Sequence, residues 1–234
     1  MFMSAPTTAH AEKSKKQIAY EMLKEKIITN QLAPGTMLVE RQLCEMLNSS
    51  RTPIREAIQQ LSADGLVTSI PTVGSYVSEI RYEYVIQLYD VREYLEGLAA
   101  KLCAINITDS QIQALNRCWL NMNDDIRTKE YDKLFQEDSN FHQNIVNYSR
   151  NEILQTLYAP LSSQIFRITF LTEDRADGIV RSHDSHLKIL QAITHHQAEE
   201  AENQMREHLR TSKMHHLKKM APHLFGTTQN GAGQ

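Results

Sequence analysis

The chain has 234 residues, of which 41% are hydrophobic and 23% are charged, a composition typical of a globular protein rather than a disordered or fibrous one. Its length allows one or two domains, each able to bury a core. No run of about 18 apolar residues occurs, and residues 1–16 lack an apolar segment, so we expect neither a transmembrane helix nor a secretory signal. The three cysteines are far apart and form no C-x-x-C pair, which indicates a cytoplasmic protein without a disulfide framework.

Charge and histidine are distributed differently along the chain. Residues 1–80 hold 8 Lys and Arg against 8 Asp and Glu, and the whole chain has a formal net charge of -3. No block of basic residues indicates a nucleic-acid-binding protein, so any nucleic-acid-binding site must be a local patch of positive charge. Nine of the ten histidines follow residue 141, which directs the search for metal ligands to the second half.

The first part of the chain is predicted to be a winged helix-turn-helix domain over residues 14–79, preceded by a disordered tail, 1–13. In its first helix we expect Ile18, Met22, Leu23 and Ile27 to face inward. A strand, a turn and a second strand then follow between residues 66 and 78. The three predicted helices span about residues 14–30, 40–47 and 51–64.

The second part, residues 80–225, is predicted to be an antiparallel bundle of about six helices, followed by a second disordered tail, 226–234. The predicted helices span about residues 81–104, 108–129, 131–148, 152–171, 178–195 and 197–223. Thr108 and Gln111 form a capping box at the start of the second helix, and Pro160 should kink the fourth. The fold class is therefore mostly α.

The start of the third helix has the residue types that read DNA. A helix-turn-helix protein inserts this end of its second motif helix into the major groove, where arginine can hold guanine with two hydrogen bonds. Arg41 can reach a phosphate, and the Gly74 turn allows a close backbone approach to the minor groove. The alternative is that these arginines are ordinary surface charges. The predicted DNA-binding residues are Arg41, Ser50, Arg51, Thr52, Arg55 and Gly74.

The stretch PGTMLVERQLCEMLNSSRTPIREAIQQLSADGLVTSIPTVGSYV resembles the N-terminal domain of the GntR family of bacterial transcription regulators. The resemblance covers about residues 15–79, and many motif pieces occur in the family's order. It implies binding to double-stranded operator DNA. The family's DNA contacts fall on Arg41, Arg51, Thr52, Arg55 and the wing around Gly74.

Four polar residues lie in apolar helix stripes of the second part: Asp138, His142, His186 and His208. Burying them unpaired costs several kcal/mol each, and one divalent cation would satisfy all four. Three imidazoles and a carboxylate suit Zn²⁺ or Ni²⁺. The alternative is that they are core histidines bonded to neighbours, or a His–Asp pair alone.

The segments VREYLEGLAAKLC, DSNFH, SHDSHLKIL and MREHL are similar to the FCD ligand-binding domain found in the FadR subfamily of GntR regulators. This looser resemblance covers about residues 81–222. It implies a metal site, whose four positions fall on Asp138, His142, His186 and His208.

Arg92 interrupts the apolar stripe of the first bundle helix, and a buried arginine needs an anion. Its partner is either an internal carboxylate, such as one on a facing helix, or a small carboxylate effector held between the metal and Arg92. Arg167 is a second candidate for effector binding. His215 and His216 are expected at an exposed helix end.

Together these features indicate a bacterial transcription regulator controlled by a small organic acid at a metal-containing pocket. We expect a homodimer, since two DNA-binding domains related by a two-fold axis match the two halves of a palindromic operator. Two alternatives stay open: a metal-dependent enzyme with a DNA-binding appendage, and a regulator whose metal is purely structural. No enzymatic activity and no membrane partner are expected.

Overall fold

A computed structural model describes residues 14–172 and 178–225. The chain divides into two compact units, Met1–Ser78 and Glu79–Gln234, so the division lies one residue before the predicted one. The predicted disordered tails, 1–13 and 226–234, lie outside the described residues.

Over residues 14–78, the first unit consists of three helices and a β-hairpin, as predicted. The helices bury one cluster of apolar side chains, in which Leu23, Ile54 and Leu61 are fully inaccessible to solvent. The prediction for the first helix was partly wrong: Ile18 and Met22 are 45% and 39% exposed, because the buried stripe runs through Ala19, Leu23 and Ile27, four residues apart. The elements are α1 (Lys15–Ile28), α2 (Glu40–Met46), α3 (Arg51–Ala63), β1 (Val67–Ile70) and β2 (Gly74–Val77).

The end of α3 turns the chain sharply into the hairpin. Gly65 has a φ of 72°, a conformation that glycine adopts without steric cost. Its N–H donates to Ser62 C=O and the N–H of Leu66 donates to Leu61 C=O, which together form a Schellman motif. β1 and β2 then pair antiparallel, with Val67 opposite Val77.

Within residues 79–172 and 178–225, the second unit contains the six helices expected from the apolar periodicity. α9 ends earlier than predicted because the backbone of Pro222 cannot continue an α-helix and begins a 3-10 turn (Pro222–Phe225) instead. None of the helices within 14–172 and 178–225 has the length and apolar character needed to cross a bilayer. The helices are α4 (Tyr82–Asn106), α5 (Asp109–Thr128), α6 (Tyr131–Tyr148), α7 (Glu152–Thr172), α8 (Gly178–Thr194) and α9 (Ala198–Met220).

Helix ends and cross-helix pairs hold this bundle in register. Gln111 Oε1 accepts a hydrogen bond from the backbone N–H of Thr108, as the predicted capping box requires. Glu93 on α4 accepts from Arg206 and Arg210 on α9 at 2.9 and 2.7 Å. A Cβ at Gly97 would lie 2.8 Å from Arg206 Cγ, so the glycine lets that side chain cross α4 closely. α4, α6, α8 and α9 thereby surround a core that also contains charged and polar side chains.

Candidate metal centre and DNA-binding surface

Three imidazoles from three helices converge in the core of the helical unit. His142 on α6, His186 on α8 and His208 on α9 are 3%, 1% and 5% exposed. One ring nitrogen from each lies within 4.8 Å of the other two. Asp138, one turn before His142, places Oδ1 3.5 Å from His186 Nε2 and keeps 28% of its side chain exposed. The structure thus brings together the four residues that were predicted as metal ligands.

A hydrogen-bond chain orients the ring of His208. Ser185 Oγ lies 2.7 Å from His208 Nδ1 and also 2.7 Å from the carbonyl oxygen of Ser182. The carbonyl can only accept, so the serine hydroxyl donates to it and accepts from His208 Nδ1. The proton of His208 is therefore on Nδ1, and Nε2 carries the lone pair that a metal ion needs.

The charge states of the cluster suit metal binding. Burial, reinforced by the neighbouring imidazoles, lowers the pKa of His186 and that of His208 well below 6.5. Both rings are therefore neutral near pH 7, the form that binds metal ions. Burial raises the pKa of Asp138, against an opposing effect of His142 and Arg92. Neutral imidazoles with one carboxylate are a donor set that fits Zn²⁺ or Ni²⁺.

Arg92 has its counter-ion within its own helix. Arg92 Nε lies 2.6 Å from Glu96 Oε1, and the two side chains are 4% and 1% exposed. Burial favours the neutral acid, but Arg92 and His142 outweigh it and lower the pKa of Glu96 to about 2. Of the two partners considered for Arg92, the internal carboxylate is therefore present, one turn along α4 rather than on a facing helix.

A small cavity of about 40 Å³ adjoins the histidine cluster. Its wall includes Arg92, Asp138 and the three imidazoles. The cavity has room for a few water-sized groups. Arg167 is fully buried on α7 and is not part of this wall, so the structure does not bring the second arginine candidate to the cluster.

The start of α3 presents an exposed polar surface. Arg51, Thr52 and Arg55 are all solvent-exposed, and Ser50 occupies the N-cap position. Arg55 Nε lies 2.7 Å from Glu40 Oε1, at the start of α2, so this guanidinium is held between the two motif helices.

The remaining predicted DNA contacts lie beside that helix and at the hairpin. Arg41, the second residue of α2, keeps 78% of its side chain exposed. Gly74 has a φ of 148°, and a Cβ there would lie 3.0 Å from Met37 Cε, so glycine is needed to close the turn. Val73 beside it is 56% exposed at the tip of the wing.

Comparison with known families agrees with both parts of this architecture. The family model described as "Bacterial regulatory proteins, gntR family" matches residues 15–77. The model described as "FCD domain" matches residues 87–211, more than half of the chain. The chain belongs to the GntR family. It is a regulator of the FCD-containing, FadR-like type, as the sequence resemblance indicated, and this family binds DNA to regulate transcription.

Named relatives of this GntR regulator are transcription factors. "HTH-type transcriptional repressor RspR" of Escherichia coli (strain K12) is 28% identical over 207 residues, which cover 88% of this chain and 91% of the relative. The "Nta operon transcriptional regulator" of Aminobacter aminovorans is 29% identical over 167 residues, which cover 71% and 78%. The solved structure of E. coli McbR/YncC has the same fold, with a TM-score of 0.78, 18% identity and coverage of 89% of this chain and 100% of that chain.

Two residues of this regulator's FCD domain were not anticipated correctly. His216 was expected at an exposed helix end, but it is 2% exposed, its ring 5.3 Å from that of Tyr89 and its Nδ1 2.7 Å from Thr172 Oγ1. The expectation was wrong because α9 stays packed against α4 and α7 through this turn. Glu96 was missed as part of the site, although its position four residues after a stripe arginine could have identified it.

Proposed function

We propose that this GntR regulator binds one divalent cation, Zn²⁺ or Ni²⁺, in its FCD domain and that a small organic acid binding beside the cation changes its affinity for operator DNA. The observation that carries the proposal is the convergence of His142, His186 and His208, each from a different helix, within 4.8 Å. Asp138 supplies a fourth donor. Burial keeps His186 and His208 neutral, and so ready to bind a metal, at physiological pH.

The residues of the cavity suit a carboxylate effector. The bound cation would supply a Lewis-acidic position for carboxylate oxygens. Arg92 lines the same cavity, and its one hydrogen bond within residues 14–172 and 178–225 uses Nε, which leaves its terminal N–H groups for an anion. The volume of about 40 Å³ favours a small acid. Arg167 lies elsewhere on α7, so it ranks behind Arg92 as an effector contact.

The arrangement favours regulation over catalysis. Asp138, one carboxylate at the cluster, is assigned to the metal in this proposal. Glu96 is 0% exposed, and both its oxygens are engaged, by Arg92 and by His142. It is therefore not available as a general base for hydrolysis. The relatives' names as regulators support the same conclusion.

In the first unit we propose that the exposed residues contact different parts of the operator DNA. Arg51, Thr52 and Arg55 read base edges in the major groove from the start of α3, with Ser50 beside them. Arg41 contacts a phosphate, and the wing around Gly74 approaches the minor groove. The cytoplasm, where the operator lies, is the proposed location.

The active form is proposed to be a homodimer. α4 exposes four large apolar side chains along one face, spaced three, four and seven residues apart: Val91, Tyr94, Leu98 and Ile105, between 41% and 66% exposed. Such a stripe is typical of a protein–protein interface. Sedimentation of Leu98→Asp should show a smaller species than the wild type, and an unchanged mass would move the interface elsewhere.

Elemental analysis and thermal unfolding test the metal site. Protein purified without chelator should contain about one divalent cation per chain. EDTA should lower its melting temperature, because a ligand bound only to the native state stabilises it by mass action. His186→Ala should lose both the metal and the EDTA effect, whereas His195→Ala, at an exposed position, should keep both. If the purified protein contains no metal and EDTA does not change its melting temperature, the metal site is contradicted and the three histidines are hydrogen-bonded core residues.

Titration of operator binding with small carboxylates tests the effector. A metal-loaded protein should change its operator affinity with at least one acid, and the metal-free protein should not. A regulator that holds its metal but responds to none of the acids would have a structural metal only.

A further inference from the structure

A buried carboxylate joins the proposed metal centre to the proposed anion-binding arginine. Glu96 is 0% exposed, and it lies between Arg92 on its own helix and His142 on α6. Building on the proposed metal site, we infer that Glu96 is a positioning residue: it selects the tautomer of His142 that presents Nε2 to the metal, and Arg92 holds it in place for this task.

Hydrogen-bond chemistry leaves one arrangement of donors and acceptors among Arg92, Glu96 and His142. Glu96 Oε1 lies 2.6 Å from Arg92 Nε, and Oε2 lies 2.6 Å from His142 Nδ1. An ionised carboxylate accepts only, and a guanidinium donates only, so the proton at the second contact belongs to His142 Nδ1. When the ring is neutral, as metal binding requires, His142 Nε2, 3.2 Å from His186 Nε2, carries the lone pair. A carboxylate that orients a histidine in this way also raises its basicity as a ligand.

The three imidazoles differ in how firmly they are oriented. His142 donates to an ionised carboxylate, and His208 donates to the neutral hydroxyl of Ser185. His186 Nδ1 is buried and has no hydrogen-bond partner within residues 14–172 and 178–225. Hydrogen bonds to charged acceptors are roughly twice as strong as neutral ones. His142 is therefore the best anchored ligand, and Glu96 should matter more to metal affinity than Ser185.

Arg92 consequently takes part in two processes. Its Nε holds Glu96, while its guanidinium lies over the ring of Tyr89 at 4.7 Å and lines the cavity. A substitution at Arg92 would therefore disturb the orientation of His142 as well as the binding of an acid. Metal affinity must be measured in any Arg92 variant before a lost effector response is assigned to lost anion binding.

The central test is Glu96→Gln, which keeps the shape but has one acceptor oxygen and one NH₂ group. The charged Arg92 makes the stronger hydrogen bond and should take the amide oxygen. The NH₂ group then faces His142 Nδ1, which needs a lone pair there, so the proton moves to Nε2. Zn²⁺ affinity, measured by competition with a chromophoric chelator, should fall about 10- to 100-fold. Ser185→Ala, the matched control, should have the smaller effect.

The double variant Arg92→Met/Glu96→Gln separates positioning from packing. Without Arg92 the amide oxygen is free to accept from His142 Nδ1, so Zn²⁺ should bind more tightly to the double variant than to Glu96→Gln alone. A residue that merely filled space would show no such recovery. In ¹⁵N spectra of chelator-treated wild-type protein, His142 should be protonated on Nδ1, and in Glu96→Gln on Nε2.

Several outcomes would overturn the inference. They are wild-type Zn²⁺ affinity in Glu96→Gln, no recovery in the double variant, or a wild-type His142 protonated on Nε2. If the wild type binds neither Zn²⁺ nor Ni²⁺, the proposed function fails, yet the spectrum of His142 still decides whether Glu96 selects the tautomer. If Glu96→Gln does not fold, the wild-type spectrum decides it, because only the positioning role requires His142 to be protonated on Nδ1.

Discussion

Two arginine–glutamate pairs with almost the same geometry lie in the two units of this regulator. In the DNA-binding unit, Arg55 Nε lies 2.7 Å from Glu40 Oε1, with side chains 61% and 34% exposed. In the helical unit, Arg92 Nε lies 2.6 Å from Glu96 Oε1, with side chains 4% and 1% exposed. Distance alone does not distinguish them, but access to water does.

Solvent decides what each pair can do. Water and salt screen the exposed pair, so DNA can replace Glu40 as the partner of Arg55 at little cost. The buried pair has no such substitute, because removing one partner leaves an uncompensated charge in the core. The first arginine is therefore free to exchange partners, as its proposed contact with the operator requires, whereas the second is a permanent part of the FCD domain's architecture.

The largest expected effect comes from breaking the buried pair. Glu96→Ala should lower the free energy of unfolding by about 3–5 kcal/mol, because Arg92 stays charged and loses its buried counter-ion. Glu40→Ala should leave the urea midpoint unchanged, since its partner is exposed. Both are measured by urea unfolding of chelator-treated protein. Equal effects of the two substitutions would show that burial does not separate the pairs.

The second prediction concerns the exposed pair on DNA. Arg55→Ala should weaken operator binding about 10- to 100-fold and relax base preference at one operator position, since a bidentate arginine contact is lost. Gel-shift or fluorescence titration against a set of single-base operator variants measures this. Glu40→Gln is the companion variant: it frees Arg55 and should not reproduce the loss. Wild-type specificity in Arg55→Ala would assign base reading to other residues.

The third prediction extends the comparison to a buried histidine. Burial, with the nearby His215 and Arg92, lowers the pKa of His216 to about 3, while the unfolded chain takes up this proton near pH 6.5. Between those values the unfolded state binds more protons, so stability falls as pH falls, by about 1.4 kcal/mol per pH unit. His216→Gln should remove that part of the slope in urea unfolding of metal-free protein.

A control variant at an exposed histidine, His195→Gln, should leave the slope unchanged. Should His216→Gln show the wild-type pH dependence, the lost stability would come from the other buried histidines instead.

The smallest effect is expected at Arg41. Arg41→Ala should weaken binding about equally for all operator variants and lower the slope of log affinity against log salt by about one, because a phosphate contact is lost. A change of base preference in this variant would contradict the phosphate assignment. Arg55→Ala, measured over the same salt series, is the reference.

Local sequence determined the DNA-binding unit almost completely. The signals that define it lie within a few residues of one another: Ser50, Arg51 and Thr52 at the start of one helix, and the turn before Gly74 between two strands. The helices of the second unit were equally readable, because each apolar stripe is a property of one helix. Even the inward positions of His142, His186 and His208 followed from their own helices.

Tertiary structure alone decided how those positions meet. Periodicity shows that a side chain points into a core, but the distances between helices depend on how the helices pack. The sequence therefore could not establish that the three imidazoles meet. The partner of Arg92 could have been read from the i,i+4 spacing of Glu96 on the same helix, but only the packing of α4 against α6 shows that Glu96 also contacts His142. Burial of His216 likewise depends on where neighbouring helices end, which no single helix encodes.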